Sequence, residues 1–274
     1  MSYQFILLRL LASGGNGDLY LGYRSDTGAK VVVKFLREWQ LDHARHGFAR
    51  EVRILERNLP GMIPLLFADL KAQQPYYVMP YLPGGSATKH AGRLSEQQLL
   101  AVAFESARAL STLHGRHISH GDIKPDNWLV TEKGNLQIAD PLGNGFGCTV
   151  LFAQNRGGTP GYWPPEIRNG QPISPAGDVY SFGVTLHHLA TGIKPNDSRS
   201  LNLSSPTLKA QPKIAEIIAA CCRPQPAERP TMQEVQRMLA GARWVDVQQT
   251  RQEQRTLALC AVALLSILLV AAAG

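Results

Sequence analysis

The spacing of apolar positions changes character along the chain, and each change marks a different kind of element. Phe5–Leu11 is an apolar run broken by the glycine-rich SGGNG, after which Leu19–Tyr23 alternates apolar and polar residues. Thr27–Gly28 is a turn signal ahead of the β-branched run Lys30–Leu36. Such segments, bounded by turn residues, predict three strands in a meander. From Leu41 to Asn58 the period lengthens: Phe48, Val52 and Leu55 recur at helical offsets and predict one helix. Pro60, Gly61 and Pro64 then punctuate, and Ile63–Ala68 and Tyr76–Tyr81 read as two more strands. Pro83–Gly85 reads as a hinge between two lobes.

Beyond the hinge the pattern turns helical. Ser95 with Gln98 three residues later has the form of a capping box. Leu99, Val102, Ala103, Ala107, Leu110 and Leu113 follow at helical spacing. Two short strands, Trp128–Thr131 and Leu136–Ala139, flank a KGN turn, and a glycine-rich irregular stretch runs from Pro141 to Pro165. Helices are predicted at Asp178–Ala190, Lys213–Cys222 and Met232–Leu239. Strands first and helices after describe an α+β chain.

The last change of pattern is the most abrupt. Leu257–Ala273 holds 17 residues without a charge. As a helix this is ~26 Å long, and with Thr256 and Gly274 it just spans the ~30 Å hydrocarbon core of a bilayer. Arg251 and Arg255 precede it and no charge follows, which predicts a single-pass segment with residues 1–255 on the cytoplasmic side of the inner or plasma membrane. A polar juxtamembrane linker, 241–255, would connect the two.

Composition adjusts this picture in three places. Lys and Arg number 28 against 21 Asp and Glu, a formal charge of +7. The basic residues are scattered, without a basic block interleaved with aromatics. No nucleic-acid partner is therefore expected, and anionic headgroups beside Arg243, Arg251 and Arg255 are the simpler one. Four cysteines in 274 residues exclude a disulfide-stapled scaffold. The histidines at 114, 117, 120, 187 and 188 lack the fuller ligand set that zinc requires, and His120 reads as a structural anchor.

Three motifs carry chemistry. In Ser13–Asp18, Gly14 and Gly17 let the backbone approach an anion closely. Lys34 ends the run Val31–Lys34 on a strand predicted to be buried, so its charge needs a partner, and Glu51 on the following helix can supply it. The most specific is HGDIKPDN, His120–Asn127. Asp122 can accept a proton from a nucleophilic hydroxyl and Lys124 can stabilise a transferred phosphoryl group. Asn127, together with Asp140 at the end of the strand LQIAD, can hold magnesium.

Taken in order, these motifs with YYVMPYL, GTPGYWPPE, DVYSFG and PAERPT resemble the eukaryotic-type protein kinases, particularly Ser/Thr kinases of the bacterial membrane-anchored kind. The resemblance runs from about Phe5 to Leu239 and implies a bilobal fold, with an N-lobe over 1–82 and a C-lobe over 83–240. It implies ATP and Mg²⁺ as cofactors and Ser/Thr-bearing proteins, the chain itself included, as substrates. A homodimer is a further partner it allows. The implied nucleotide pocket uses Leu11, Gly14, Gly17, Leu19, Lys34, Glu51, Met79, Tyr81 and Asn127, with Met79 as gatekeeper. The implied catalytic residues are Asp122 and Lys124, and the metal ligands Asn127 and Asp140. Glu166 with Arg229 matches a bracing ion pair, Asp178 a holder of the catalytic loop, and Thr159 a contact to Asp122 and Lys124.

Four positions depart from the family pattern. Ala12 replaces the first loop glycine, and Asn16 replaces the aromatic at the loop tip. Gly121 stands where an arginine ordinarily pairs with a phosphorylated activation loop, which argues against that switch. Thr149 is the other hydroxyl between Asp140 and Thr159. Asp140-Pro141-Leu142 replaces Asp-Phe-Gly, and Pro141 fixes φ and removes an N–H, which puts a flip of this motif in doubt. The expected activity is γ-phosphoryl transfer from ATP to protein hydroxyls. A catalytically impaired membrane scaffold is the alternative, and a small-molecule phosphotransferase, disfavoured by Lys124, is a third reading.

Overall fold

The computed structural model describes residues 4–14, 17–143, 159–196 and 201–241. Strands β1 (Phe5–Gly14), β2 (Gly17–Arg24) and β3 (Lys30–Phe35) form the predicted meander. With β4 (Phe67–Asp69) and β5 (Tyr76–Pro80) they build one antiparallel sheet in the order β1-β2-β3-β5-β4. Lys34 lies opposite Tyr77 and Val32 opposite Met79. Side chains alternate across a sheet, so these four share one face. That face packs on helix α1 (Asp42–Leu55), which buries Phe48, Glu51, Val52 and Leu55. On the opposite face Val31, Val33 and Val78 form a separate cluster under Phe5, Phe35, Phe67 and Tyr76.

One predicted strand is displaced. The stretch Ile63–Ala68 pairs with β5 only from Phe67. Pro64 has no N–H to give a ladder, and the residues before it are claimed elsewhere. Ile63 N–H donates to Ile138 O at 2.9 Å, and Ile138 N–H donates to Gly61 O at 2.8 Å. This stretch thus ties the five-stranded sheet to the helical half.

The helical half is organised around two helices. Helix α2 (Glu96–His114) begins with the predicted capping box, in which Ser95 and Gln98 bond reciprocally. Helix α4 (Pro175–Thr191), which follows the short α3 (Pro165–Arg168), is buried from Gly177 to Ala190 without a break. A helix buried on every side is a core helix, and Ser174 caps it by accepting from Gly177 N–H at 3.1 Å. Two further helices, α5 (Pro206–Lys209) and α6 (Pro212–Cys221), and a helix at 232–241 pack outside it. The predicted hinge contributes a strand of its own: β6 (Gly85–Ser86) pairs with β7 (Trp128–Val130), which pairs with β8 (Leu136–Ile138).

Among the described residues no helix is long and apolar enough to cross a membrane. The expected span at 256–274 and linker residues 242–255 lie outside the described residues, as do Asn16 and Thr149.

Candidate active site

The site forms where the five-stranded sheet meets the helical half. From above, Lys34 on β3 is 2% exposed and its Nζ donates to Glu51 Oε1 at 2.8 Å and to Asp140 Oδ1 at 3.0 Å. The three residues come from β3, α1 and the segment after β8. Tyr77 on β5, fully buried, donates its hydroxyl to the same Glu51 oxygen at 2.7 Å. Lys34 Nζ also sits 5.6 Å from the Tyr77 ring centroid, within cation–π range.

The electrostatics follow from burial and proximity. Burial pulls the Lys34 ammonium down, but Asp140 and Glu51 outweigh it and hold the group above its ordinary value. Burial, only partly offset by Lys34, pushes Glu51 up to about 7. Burial also acts to raise Asp140, yet the Lys34 charge prevails and keeps that carboxyl below its usual range. One cation faces two carboxylates, so the ionised cluster carries an excess negative charge. A divalent cation would offset it.

From below, the loop 120–127 is held largely through its backbone. Asp178, at the start of α4, accepts from His120 N–H at 2.6 Å and Gly121 N–H at 2.8 Å. His114 Nε2 lies 2.9 Å from the same carboxylate. His120 Nε2 bonds the Ala139 carbonyl at 2.9 Å, while Nδ1 accepts from Asp122 N–H at 3.3 Å. That is the pattern of a neutral imidazole, and burial lowers the His120 pKa accordingly.

These anchors set out the chemistry-bearing groups. Lys124 Nζ donates to Asp122 Oδ2 at 2.7 Å and to Thr159 Oγ1 at 2.9 Å. Thr159 Oγ1 lies 3.4 Å from Asp122 Oδ1. Asn127 Nδ2 donates to the Asp122 backbone O at 2.8 Å and to Oδ2 at 3.0 Å. Its Oδ1 is therefore the atom left for a ligand. Among the described residues no cluster of three or more His, Cys, Asp or Glu forms a metal site by itself. A metal here would take oxygens from Asp140 and Asn127 and complete its shell with phosphate and water, as suits a hard, strongly hydrated cation.

One departure finds its physical cause here. Gly121 has φ +83°, and a Cβ on it would come within 2.7 Å of Ile173 Cδ1. Trp163, Ile167, Leu142 and Ile173 form an apolar cluster beside it, so an arginine there would have to displace this packing. Asp140 has φ +59°, the left-handed region, immediately before Pro141. Such a conformation costs about 1–2 kcal/mol. Leu142 N–H donating to His120 O at 2.7 Å helps hold the segment in place.

Most of the remaining sequence-predicted positions lie on or beside the strands of the five-stranded sheet. Leu11, Leu19 and Tyr81 are partly buried against the main core, and Met79 is buried in it. Gly17 is required by close approach, because a Cβ would stand 2.5 Å from the Phe35 carbonyl. Gly14 ends β1, where a Cβ would meet the Gly17 carbonyl at an unstrained 4.0 Å. Arg229 and Glu166 pair in a fork, at 2.6 and 2.9 Å. Tyr77 was not among the expected site residues. Its signal is two-residue alternation: if Met79 faces the cleft, so does Tyr77.

The fold and this arrangement define the class. Residues 5–239 match the protein kinase domain family, and the chain belongs to it. Its relatives place it with the eukaryotic-like Ser/Thr kinases. It is similar, at 34% identity over 211 residues, to the DNA damage-responsive serine/threonine-protein kinase RqkA of Deinococcus radiodurans, across 70% of this chain and 30% of that protein. Serine/threonine-protein kinase F of Synechocystis sp. is 31% identical, across 88% of this chain and 55% of that protein. Serine/threonine-protein kinase PknA of Nostoc sp. is 30% identical, across 78% and 40%. The chain thus spans between about a third and about half the length of these relatives.

Proposed function

We propose that the chain transfers the γ-phosphoryl group of ATP to Ser/Thr hydroxyls of proteins, including its own, while anchored to a membrane by residues 256–274. The carrying observation is the joint placement of Asp122, Lys124, Asn127 and Thr159 below Lys34, Glu51 and Asp140. Lys34 holds the α- and β-phosphates, kept in line by Glu51. Asp122 accepts the proton of the attacking hydroxyl as its oxygen bonds the γ-phosphorus and the bond to the β-phosphate oxygen breaks, leaving ADP. Lys124 meets the charge on the transferred group, and Thr159 fixes Lys124 relative to Asp122. Bound Mg²⁺, held by Asp140 and Asn127, supplies neutralisation of the phosphate charge. The work of these residues is positioning and charge stabilisation, which suits phosphoryl transfer.

The membrane part rests on the uncharged 17-residue run and the arginines before it. Incubation of the full chain with labelled ATP and a generic basic protein tests the catalytic part. Label should enter the chain or the protein and be lost in Asp122→Asn. Nucleotide binding without transfer would instead favour the scaffold reading, and transfer to an amino alcohol alone the small-molecule one. Carbonate-resistant membrane association that disappears on deleting 256–274 tests the anchor; a soluble full chain would refute it.

A further inference from the structure

We infer that the Tyr77 hydroxyl is a positioning group for Lys34: it holds the Glu51 carboxylate in place while that carboxylate holds the ammonium, and so selects for the triphosphate part of ATP. This rests on the phosphotransfer reading for its ligand. The geometry is specific. Glu51 Oε1 has two donors, Lys34 Nζ at 2.8 Å and the Tyr77 hydroxyl at 2.7 Å. Asp140 Oδ1 lies 3.5 Å from the same hydroxyl, the limit of contact. A phenol has one proton to give, and the shorter distance assigns it to Glu51.

That assignment has a consequence when phosphate arrives. Lys34 has three N–H groups, two of which are committed to Glu51 and Asp140. A phosphate taking the third N–H shares the ammonium's charge and weakens its bond to Glu51, a residue 4% exposed. A buried carboxylate with its pairing weakened is costly. The Tyr77 hydroxyl offsets that cost, because it keeps donating to Oε1. The ring is itself fixed. It lies 5.3 Å from the Phe48 ring on α1, and Tyr77 sits opposite Lys34 in the sheet. The hydroxyl is thus carried on a rigid strand, not a mobile loop. A phenylalanine would keep every ring contact while removing only this hydroxyl.

The test compares the full chain with its Tyr77→Phe variant in three measurements: affinity for ATP, affinity for adenosine, and label transfer. Adenosine lacks the groups that Lys34 holds. The expected result is ATP affinity reduced about tenfold in Tyr77→Phe, the scale of one lost hydrogen bond to a buried charge, with adenosine affinity unchanged within twofold and kcat lowered. Rescue is the second arm: Glu51→Gln alone should weaken ATP, and adding Tyr77→Phe to it should cost little more, since the carboxylate that needs the proton is gone. An unchanged ATP-to-adenosine ratio would overturn the inference, as would an equal loss for both ligands. The binding ratio needs no turnover. A wild-type chain that binds ATP but transfers nothing would sink the catalytic reading and still decide the role of Tyr77.

Discussion

The two polar networks that meet at the cleft are built on opposite principles. The upper one joins four chain segments through side chains alone: Lys34, Glu51, Tyr77 and Asp140. The lower one holds the catalytic loop mainly by backbone groups, with Asp178 receiving two N–H donors and His120 bonding a carbonyl. The ionised upper network carries an excess negative charge that a divalent cation would offset. The lower is satisfied before any ligand arrives. On the proposed function, the lower network would be a fixed platform for the reacting hydroxyl and the upper one a charge cluster that responds to nucleotide.

The comparison is sharpened first by breaking the lower network. Asp178→Ala should cost about 3–5 kcal/mol of folding free energy, because it strands buried donors worth ~1–3 kcal/mol each. Chemical denaturation measures it, and a loss under 1 kcal/mol would mean the loop is held by something else. Glu51→Gln, in the upper network, should do the reverse: kcat/KM for ATP should fall on the order of 10- to 100-fold with a much smaller change in stability. Equal stability losses for the two variants would erase the contrast. Gly121→Ala should destabilise by about 1–2 kcal/mol through its positive φ, and a thermal melt unchanged from wild type would refute the packing argument.

The smallest effect is on pH, and its sign differs between the networks. His120, His187 and His188 are buried and held below the ordinary imidazole value, chiefly by lost hydration. The unfolded chain takes up protons below about pH 6.5 before the folded one does, so stability from these groups is complete above that pH and falls as pH drops through their lowered values. Glu51, pushed up to about 7, acts the other way. The folded state keeps that proton longer, so this contribution is greatest below the unfolded value and declines as pH rises to about 7. Between pH 5 and 7 the melting temperature of Glu51→Gln should therefore rise more steeply with pH than that of wild type. A shallower rise would show the wrong sign.

Much of the site was legible in the sequence because its motifs are contiguous. HGDIKPDN places Asp122, Lys124 and Asn127 on one loop, and the charge of Lys34 on a strand predicted to be buried called for the partner that Glu51 supplies. The start of β4 was legible only in part: Pro64 marks a break within Ile63–Ala68, but the bonds of Gly61 and Ile63 to Ile138 that draw the chain away are tertiary. Gly121 read as a missing arginine, whereas its positive φ and the Ile173 contact are facts of tertiary packing. Tyr77 looked like an ordinary strand aromatic. What its hydroxyl meets depends on the register of β3 against β5 and on how α1 docks, and neither is encoded locally.

The central claim is that the two networks together transfer phosphate. The most direct measurement is the intact mass of the full chain before and after incubation with ATP and Mg²⁺, for wild type and Asp122→Asn. The account predicts added phosphoryl groups on Ser or Thr of the wild type and none on the variant. A wild-type chain that binds the nucleotide yet gains no phosphate, on itself or on an added protein, would contradict it.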